Sequence, residues 1–445
     1  MNTTFEAVIG LEIHIQLQTK SKAFSSDSIE YGALPNTQVS PISLGHPGTL
    51  PMHNRAAIDN AIKMGLALNC NIREVNRYAR KNYFYADLPK GYQITQFDTP
   101  LCENGSVEIK LSDGRVKVVR LTRIHMEEDT GKSMHDQDLY DTLVDYNRAG
   151  IPLIEIVTKM ITGTGKYAPQ VARAYVTELR DIVKSLQVSD VRMEQGSLRC
   201  DANVSLAPIK SGKLGTRSET KNVNSLRSIE RAVQSEIERH ANLLDKGERV
   251  VQETRHFLED SGLTRPGRSK EQAEDYRYFP EPDLVPVAPT KETIETLRKK
   301  LPEKPSDRRK RLQQEWNVPD KEMAAMVNAD LLDTVAQTID AGADKGLARS
   351  WWMGEISRIA NEKSVAPVDL ISISDVVELI KLISSGELTD KLARQVLAGV
   401  IDKEGSPKSV MEKRGLKVVS DDSALMSAIE AAIAAQPETA ERVRG

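Results

Sequence analysis

The sequence has few cysteines, few aromatic residues and no long apolar run. Its three cysteines, Cys70, Cys102 and Cys200, are scattered and form no C-x-x-C pair. This distribution argues against a disulfide framework or a zinc knuckle, and it predicts a reducing, cytoplasmic environment. No stretch approaches the roughly 18 apolar residues that span a bilayer. Residues 1–10 also lack the basic and apolar regions of a signal peptide, so we expect no membrane association.

The chain also lacks a strong charge of either sign. It has 61 Lys and Arg against 64 Asp and Glu, which gives a formal net charge of −3. Such a balance does not favour binding of nucleic acid over the whole surface, so any RNA contact would come from local basic patches. The length of 445 residues favours two or three domains.

The first two thirds of the chain alternate between strand patterns and amphipathic helices, which predicts an α+β domain. A proline-rich segment, residues 279–289, then interrupts regular structure, because proline fixes φ and removes a hydrogen-bond donor. It is predicted to be a domain boundary or a stiff strap, and helical patterns predominate after it. We therefore predict one domain over residues 1–290 and a helical domain over residues 291–405. The clearest strand patterns lie at Val8–Gln18, Val116–Glu127 and Leu198–Leu206.

The strand at the beginning of the chain carries a pattern typical of a cation site. Strand side chains alternate between two faces, so Leu11 and Ile13 share one face while Glu12 and His14 share the other. A carboxylate and an imidazole two residues apart can reach one bound cation. The alternative is a solvent-exposed polar face, which is the commoner outcome for an antiparallel strand on its own.

A second strand carries adjacent acids. In Thr122–Asp129, the side chains of His125, Glu127 and Asp129 lie on one face, and Glu128 follows Glu127 directly. Neighbouring carboxylates repel one another unless a cation neutralises them. A site rich in oxygen favours a hard ion, and Mg²⁺ with nucleotide phosphates is the usual case. The alternative is an exposed acidic edge.

A third strand combines positive and negative groups. Arg199, Asp201 and Asn203 share one of its faces, and Glu219 and Lys221 share a face of the segment that follows. Cations for phosphate oxygens and a carboxylate for a metal are what phosphoryl transfer requires. A surface salt-bridge ladder is the alternative, and it would contribute little stability.

Basic residues and tyrosines are interleaved over residues 80–93. Lys81 and Lys90 could bind phosphate, and Tyr83 could stack on a base or ribose, unless the segment is simply a packed aromatic loop. Gly131-Lys-Ser133 looks like part of a phosphate-binding loop, but position 126 is methionine, where that loop needs its first glycine. A Walker-type NTPase is therefore excluded.

Several long motifs follow one another along the first two thirds of the chain. They are Gly10–His14, Pro47–Pro51, Lys81–Tyr85, Asp87–Gln93, His125–Asp129, Asp145–Pro152, Gly196–Asn203, Lys221–Ser225 and Asp275–Pro282. These motifs resemble those of the bacterial tRNA-dependent amidotransferase B subunit, and they occur in that family's order. The resemblance covers most of residues 8–285 and implies a cradle with a mostly antiparallel sheet and flanking helices, similar to glutamine synthetase and guanidino kinases. All-helical domains that hold tRNA would follow.

The resemblance implies a reaction and its partners. ATP would phosphorylate the side-chain carboxylate of Glu-tRNA(Gln) or Asp-tRNA(Asn), and ammonia would then displace the phosphate. An amidase-type A subunit would release that ammonia from glutamine, and a small C subunit would brace A and B. By family analogy Mg²⁺ would be the metal and ATP the nucleotide. The residues implied are Glu12, His14, Glu127 and Glu219 as metal ligands, Glu128 as a catalytic group or a further ligand, Lys81 and Arg199 as phosphate contacts, and Tyr83, Asp201 and Asn203 as positioning groups.

The resemblance also implies two differences from some relatives. Ser40–Ser43 stands where some relatives have a cysteine-rich stretch, so no zinc is expected. Residues 406–445 are expected to be the start of a helical tRNA-binding tail that is cut short. Two alternatives to the amidotransferase function are a metal-dependent phosphohydrolase that uses the same acids and a non-catalytic tRNA-binding scaffold.

Overall fold

A computed structural model of the chain divides into two units, Met1–Arg308 and Arg309–Gly445. The predicted domain boundaries at positions 290 and 405 stay predictions, because a division into compact units does not test them. The structure describes residues 5–134, 140–209, 213–267 and 273–416. Most of the predicted tail, residues 406–445, therefore lies outside the described residues.

The first unit is built around one large sheet. Its strands within the described residues are β1 (Phe5–Gln16), β2 (Asn71–Ile72), β3 (Ala79–Asn82), β4 (Tyr92–Thr95), β5 (Cys102–Glu103), β6 (Ser106–Lys110), β7 (Val116–Glu128), β8 (Lys132–Met134), β9 (Leu143–Asp145), β10 (Pro152–Thr158), β11 (Leu198–Pro208), β12 (Ser218–Val223), β13 (Thr254–Leu258), β14 (Leu263–Pro266) and β15 (Phe279–Pro280).

Thirteen of these strands form one sheet in the order β14-β13-β12-β11-β1-β10-β7-β4-β3-β15, with β2, β5 and β6 attached beside β7, while β8 and β9 pair separately. All pairs are antiparallel except β12 with β13. The longest ladder joins β1 to β11, and β10 lies on the other side of β1. The predicted α+β class with a mostly antiparallel sheet is confirmed.

One face of this sheet carries the hydrophobic core. Ile13 and Ile15 of β1 are fully buried there, as the alternation in the sequence predicts. Two helices that pack on this face begin at side-chain caps, since Asn54 accepts from the Ala57 N–H and Ser225 from the Ser228 N–H. The face opposite the core is left for polar side chains. The helices of this unit are α1 (Pro41–Leu44), α2 (Arg55–Ala67), α3 (Ala168–Ser185), α4 (Leu226–Asp245) and α5 (Lys291–Lys299).

The proline-rich segment forms a strap, here defined as residues 276–287, along the far edge of the sheet. Its short strand β15 pairs with β3, and a backbone bridge joins Asn76 to Val287 farther along. The His53 Nε2 atom lies 2.9 Å from the Val285 carbonyl oxygen, near the start of α2. The segment thus forms a strap within the first unit, and a domain boundary at its end stays a prediction.

The second unit is helical throughout its described residues. Its core includes Trp352, whose Nε1–H donates to Thr338 Oγ1 at 2.8 Å. None of the helices in the described part of the chain combines the length and apolar composition needed to cross a membrane. The helix α6 (Pro305–Trp316) crosses the boundary between the units. The others are α7 (Asp320–Asn328), α8 (Leu332–Asp340), α9 (Lys345–Trp351), the π turn Trp352–Ile356, α10 (Ser357–Lys363), α11 (Pro367–Leu370), α12 (Ile373–Ser384), α13 (Asp390–Ile401) and α14 (Pro407–Arg414).

Candidate active site

A row of titratable side chains crosses the polar face of the sheet at its centre. His14 of β1 stands opposite Glu155 of β10 on one side and opposite Arg199 of β11 on the other. Glu155 in turn stands opposite His125 of β7. Residues directly opposite in neighbouring antiparallel strands point to the same face. The register of four strands therefore places two imidazoles, one carboxylate and one guanidinium in a line.

Three side chains on this face form a candidate metal site. The His14 Nε2 atom lies 3.7 Å from Glu127 Oε1 and 3.9 Å from Glu155 Oε1. One ligand atom from each residue lies within 4.8 Å of the others. Two carboxylates and one imidazole are a donor set that suits a hard divalent ion such as Mg²⁺. The structure brings His14 and Glu127 together, and metal ligation by both stays a prediction.

Glu155 is the residue of this cluster that sequence reasoning missed. Burial by itself would raise the pKa of Glu155, but the neighbouring charges of His125, His14 and Lys81 lower it well below the usual value. The His125 Nε2 atom is 2.9 Å from its Oε2 atom. The sequence contains a signal for it, because Glu155 is the single charged residue of strand β10, whose other residues are apolar except for Thr158. A charged residue placed in such a strand usually has a specific partner.

Two other predicted metal ligands lie on the same polar face but outside this cluster. Glu12 accepts a hydrogen bond from Asn203 Nδ2 at 3.0 Å. Glu219 stands opposite Asn203 and accepts one from Thr254 Oγ1, also at 3.0 Å. The buried Asn203 Oδ1 atom has no hydrogen-bond partner within the described residues. Metal ligation by Glu12 and Glu219 therefore stays a prediction.

Two cations of this face are held by carboxylates. Arg199 Nη2 donates to Asp129 Oδ2 at 3.0 Å, and Lys221 Nζ lies 3.1 Å from Asp201 Oδ2. Burial would lower the pKa of Arg199, but Asp129 outweighs burial and raises it. Burial would likewise lower the pKa of Lys221, but Asp201 and Glu219 raise it. Both groups therefore carry full positive charge at neutral pH, as an anion-binding site requires.

Lys81 lies among aromatic rings beside the cluster. Its Nζ atom is 4.6 Å from the centre of the Tyr276 ring and 5.6 Å from that of Tyr83. Burial and the nearby charge of Glu127 raise the pKa of Tyr83, so its hydroxyl stays protonated. The predicted pair Lys81 and Tyr83 is thus at the site, and Tyr276, which was not predicted, is there as well.

Glu128 lies apart from the other predicted site residues. It follows Glu127 directly on β7, so its side chain points to the other side of the strand. Its carboxylate pairs with Lys90, and Oε1 accepts from the Ile94 N–H. It lines a small cavity with the buried Lys22, whose pKa burial lowers to about 8. The structure does not bring Glu128 into the metal cluster, and its catalytic role stays a prediction.

Comparisons with known proteins show the family of this chain. Residues 7–295 match the model of the GatB/GatE catalytic domain, and residues 333–445 match that of the GatB domain. One relative is a Streptomyces avermitilis protein named as the B subunit of an aspartyl/glutamyl-tRNA(Asn/Gln) amidotransferase. It is 54% identical over an aligned length of 450 residues, and the alignment covers 99% of this chain and 89% of the relative. A protein of the same name from Thermobifida fusca is 55% identical over 451 residues, covering 99% and 87%. The chain therefore belongs to the family of the aspartyl/glutamyl-tRNA amidotransferase B subunits.

Proposed function

We propose that this chain uses ATP to phosphorylate the side-chain carboxylate of Glu-tRNA(Gln), Asp-tRNA(Asn) or both, and that ammonia then displaces the phosphate. The observation that carries the proposal is the polar sheet face, where the cluster of His14, Glu127 and Glu155 lies beside the cations Lys81 and Arg199. Family membership supports it, because relatives that match nearly the whole chain are named as B subunits of an aspartyl/glutamyl-tRNA(Asn/Gln) amidotransferase.

The chemistry explains why such a face is needed. A carboxylate cannot exchange oxygen for nitrogen directly, because oxide would have to leave. In the proposed reaction a carboxylate oxygen attacks the γ-phosphorus of ATP, the bond to the bridging oxygen breaks, and ADP leaves. Ammonia next attacks the acyl carbon, phosphate leaves with the bonding electrons, and the nitrogen loses a proton. The attacking carboxylate is already ionised, so the first step needs no general base.

We assign roles to the polar side chains on that basis. His14, Glu127 and Glu155 would hold Mg²⁺, with Glu12 and Glu219 as further ligands. A bound Mg²⁺ would reduce the repulsion between the carboxylate and the triphosphate. The remaining assignments follow from position on the face: Lys81 and Arg199 contact phosphate oxygens, and Tyr83, Asp201 and Asn203 position the substrate.

The proposed reaction also requires partners. Its nitrogen would come from an amidase-type A subunit that hydrolyses glutamine, and a small C subunit would hold the two larger chains together. The substrate is an aminoacyl-tRNA, so the assembly would work in the cytoplasm, where aminoacylation takes place. Which of the two aminoacyl-tRNAs is used depends on the synthetases and tRNAs of the cell.

The proposal predicts that ATP turnover depends on an aminoacyl-tRNA. We expect the complex of this chain with its A and C partners to form ADP with Glu-tRNA(Gln) or Asp-tRNA(Asn), but only at background rate with the same tRNAs uncharged. ADP release and the amide product on tRNA would be measured with and without glutamine. Equal ATP hydrolysis without aminoacyl-tRNA would instead support a phosphohydrolase. An absence of nucleotide binding would support a tRNA-binding scaffold.

A further inference from the structure

The strap reaches the candidate active site at its first residues. Two hydrogen bonds from Asn82 Nδ2 hold this end, one to the Tyr276 carbonyl at 3.3 Å and one to the Arg277 carbonyl at 2.8 Å. Arg277 has a φ of 45°, a left-handed conformation that is uncommon for a residue with a side chain. Such a conformation persists only where surrounding contacts impose it. The Asn82 contacts thus fix the backbone that carries Tyr276.

A buried ion pair anchors the strap farther along. Arg80 of β3 donates from Nε and Nη2 to the two carboxylate oxygens of Glu281, at 2.8 and 2.9 Å. The Glu281 side chain is 0% exposed, so its charge depends on this partner. The Glu281 N–H also donates to the Tyr78 carbonyl at 2.9 Å. Asn82 therefore holds the strap at residues 276 and 277, and Arg80 holds it at residue 281, so β3 contacts both ends of this segment.

This attachment brings an aromatic ring to Lys81, which lies between Arg80 and Asn82 on β3. The ring of Tyr276 is 4.6 Å from Lys81 Nζ, and the ring of Tyr83 is 5.6 Å from it on a second side. The two rings are 5.9 Å apart and nearly perpendicular. The face of an aromatic ring attracts a cation, so the two rings restrict where the ammonium can lie.

We propose that Tyr276 is a positioning residue, which the strap holds against Lys81 so that the ammonium is oriented for phosphoryl transfer. This inference rests on the proposed function, because it assigns a task to Lys81 in that reaction. A flexible lysine loses side-chain entropy when it meets a phosphate in the transition state. An ammonium already held by two rings has lost part of that freedom beforehand, which speeds the chemical step.

The first test compares leucine and phenylalanine at position 276. Tyr276→Leu removes the ring, and we expect a fall of about tenfold in single-turnover ADP formation by the assembled complex, which corresponds to about 1.4 kcal/mol. The KM for ATP should change much less than the rate constant. Tyr276→Phe keeps a ring face and should restore most of the lost rate. A matched control is Tyr167→Leu, since Arg115 lies 3.5 Å from that ring, at the opposite end of β7 from Glu127.

The second test asks whether Tyr276 acts through Lys81. In a Lys81→Ala background, Tyr276→Leu should have almost no further effect, because the group that the ring orients is gone. A role confined to folding would give the full tenfold loss in both backgrounds. That additive result, or a Tyr276→Phe variant as slow as Tyr276→Leu, would refute the inference. If the unmodified complex forms ADP without aminoacyl-tRNA, the proposed function fails instead, so the two failures can be told apart.

Discussion

Replacing Glu127 by glutamine is expected to lower ATP-dependent phosphorylation of the aminoacyl group by roughly 10²–10³-fold. The carboxylate is only 6% exposed, and its oxygens lie 3.7 Å from His14 Nε2 and 3.8 Å from His125 Nε2. Glutamine has nearly the same shape but no charge. The substitution therefore removes one of the two negative ligands of the cluster while it leaves the packing almost unchanged.

This prediction is measured as single-turnover ADP formation by the assembled complex with saturating aminoacyl-tRNA. Glu155→Gln should give a loss of similar size, because it removes the other carboxylate of the cluster. Glu108→Gln is the matched control, since Glu108 lies exposed on the neighbouring strand β6. If Glu127→Gln kept normal ADP formation and normal Mg²⁺ dependence, the assignment of this cluster as the metal site would be wrong.

The largest expected effect on stability lies at a buried carboxylate behind the polar face. The Glu236 side chain of α4 is 0% exposed and pairs with Arg239 and Arg255 at 2.7 and 3.3 Å. It also accepts hydrogen bonds from Ser218 and Thr264. Glu236→Gln would remove the negative charge and replace one acceptor oxygen by an amide N–H₂, which cannot accept from the arginines. We expect a loss of roughly 2–3 kcal/mol in the free energy of unfolding, because Arg239 and Arg255 would lose one of their two carboxylate partners and keep Glu253.

Thermal unfolding of the assembled complex would measure this loss, with hydrogen exchange in α4 and β12 as a local readout. Glu238→Gln is the matched control, because Glu238 is exposed on the same helix. A fall in protection confined to α4 and its sheet neighbours would support the prediction. Equal melting of the Glu236→Gln and Glu238→Gln complexes would contradict it.

The effect of Glu236 should depend on pH. Burial by itself would raise the pKa of Glu236, but hydrogen bonds from His240, Arg239, Ser218 and Thr264 lower it well below the usual value. A carboxylate with a lowered pKa in the folded state contributes stability above its unfolded pKa of about 4.3, and that contribution is lost as the pH falls through the folded pKa. The difference in stability between the unsubstituted chain and the Glu236→Gln variant should therefore be constant above about pH 5 and shrink below about pH 4.

This buried network also bears on the active-site face. Ser218, which donates to Glu236, is the first residue of β12, and the next residue is Glu219 on the polar side. Alternation along a strand sends neighbouring side chains to opposite faces. The contacts of Glu236 behind the sheet thus hold the strand that carries Glu219 and Lys221, although Glu236 does not contact the metal cluster.

Local patterns in the sequence were sufficient to identify the polar faces of single strands. Leu11, Ile13 and Ile15 are buried while Glu12 and His14 point away from the core, and the same alternation holds over the first five residues of β11. Helix α4 has its buried apolar residues at helical spacing and begins at its Ser225 cap. These features depend on neighbours within a few residues, and for that reason a single sequence contains them.

Only the tertiary structure decided which polar groups meet. Glu155 joins His14 and Glu127 because β10 inserts between β1 and β7, and no local period in the sequence records these pairings between distant segments. Tyr276 reaches Lys81 because the strap pairs with β3, which lies far earlier in the chain. Strand register is set by the packing of the whole core, so alternation predicted the face of each residue but not its partners.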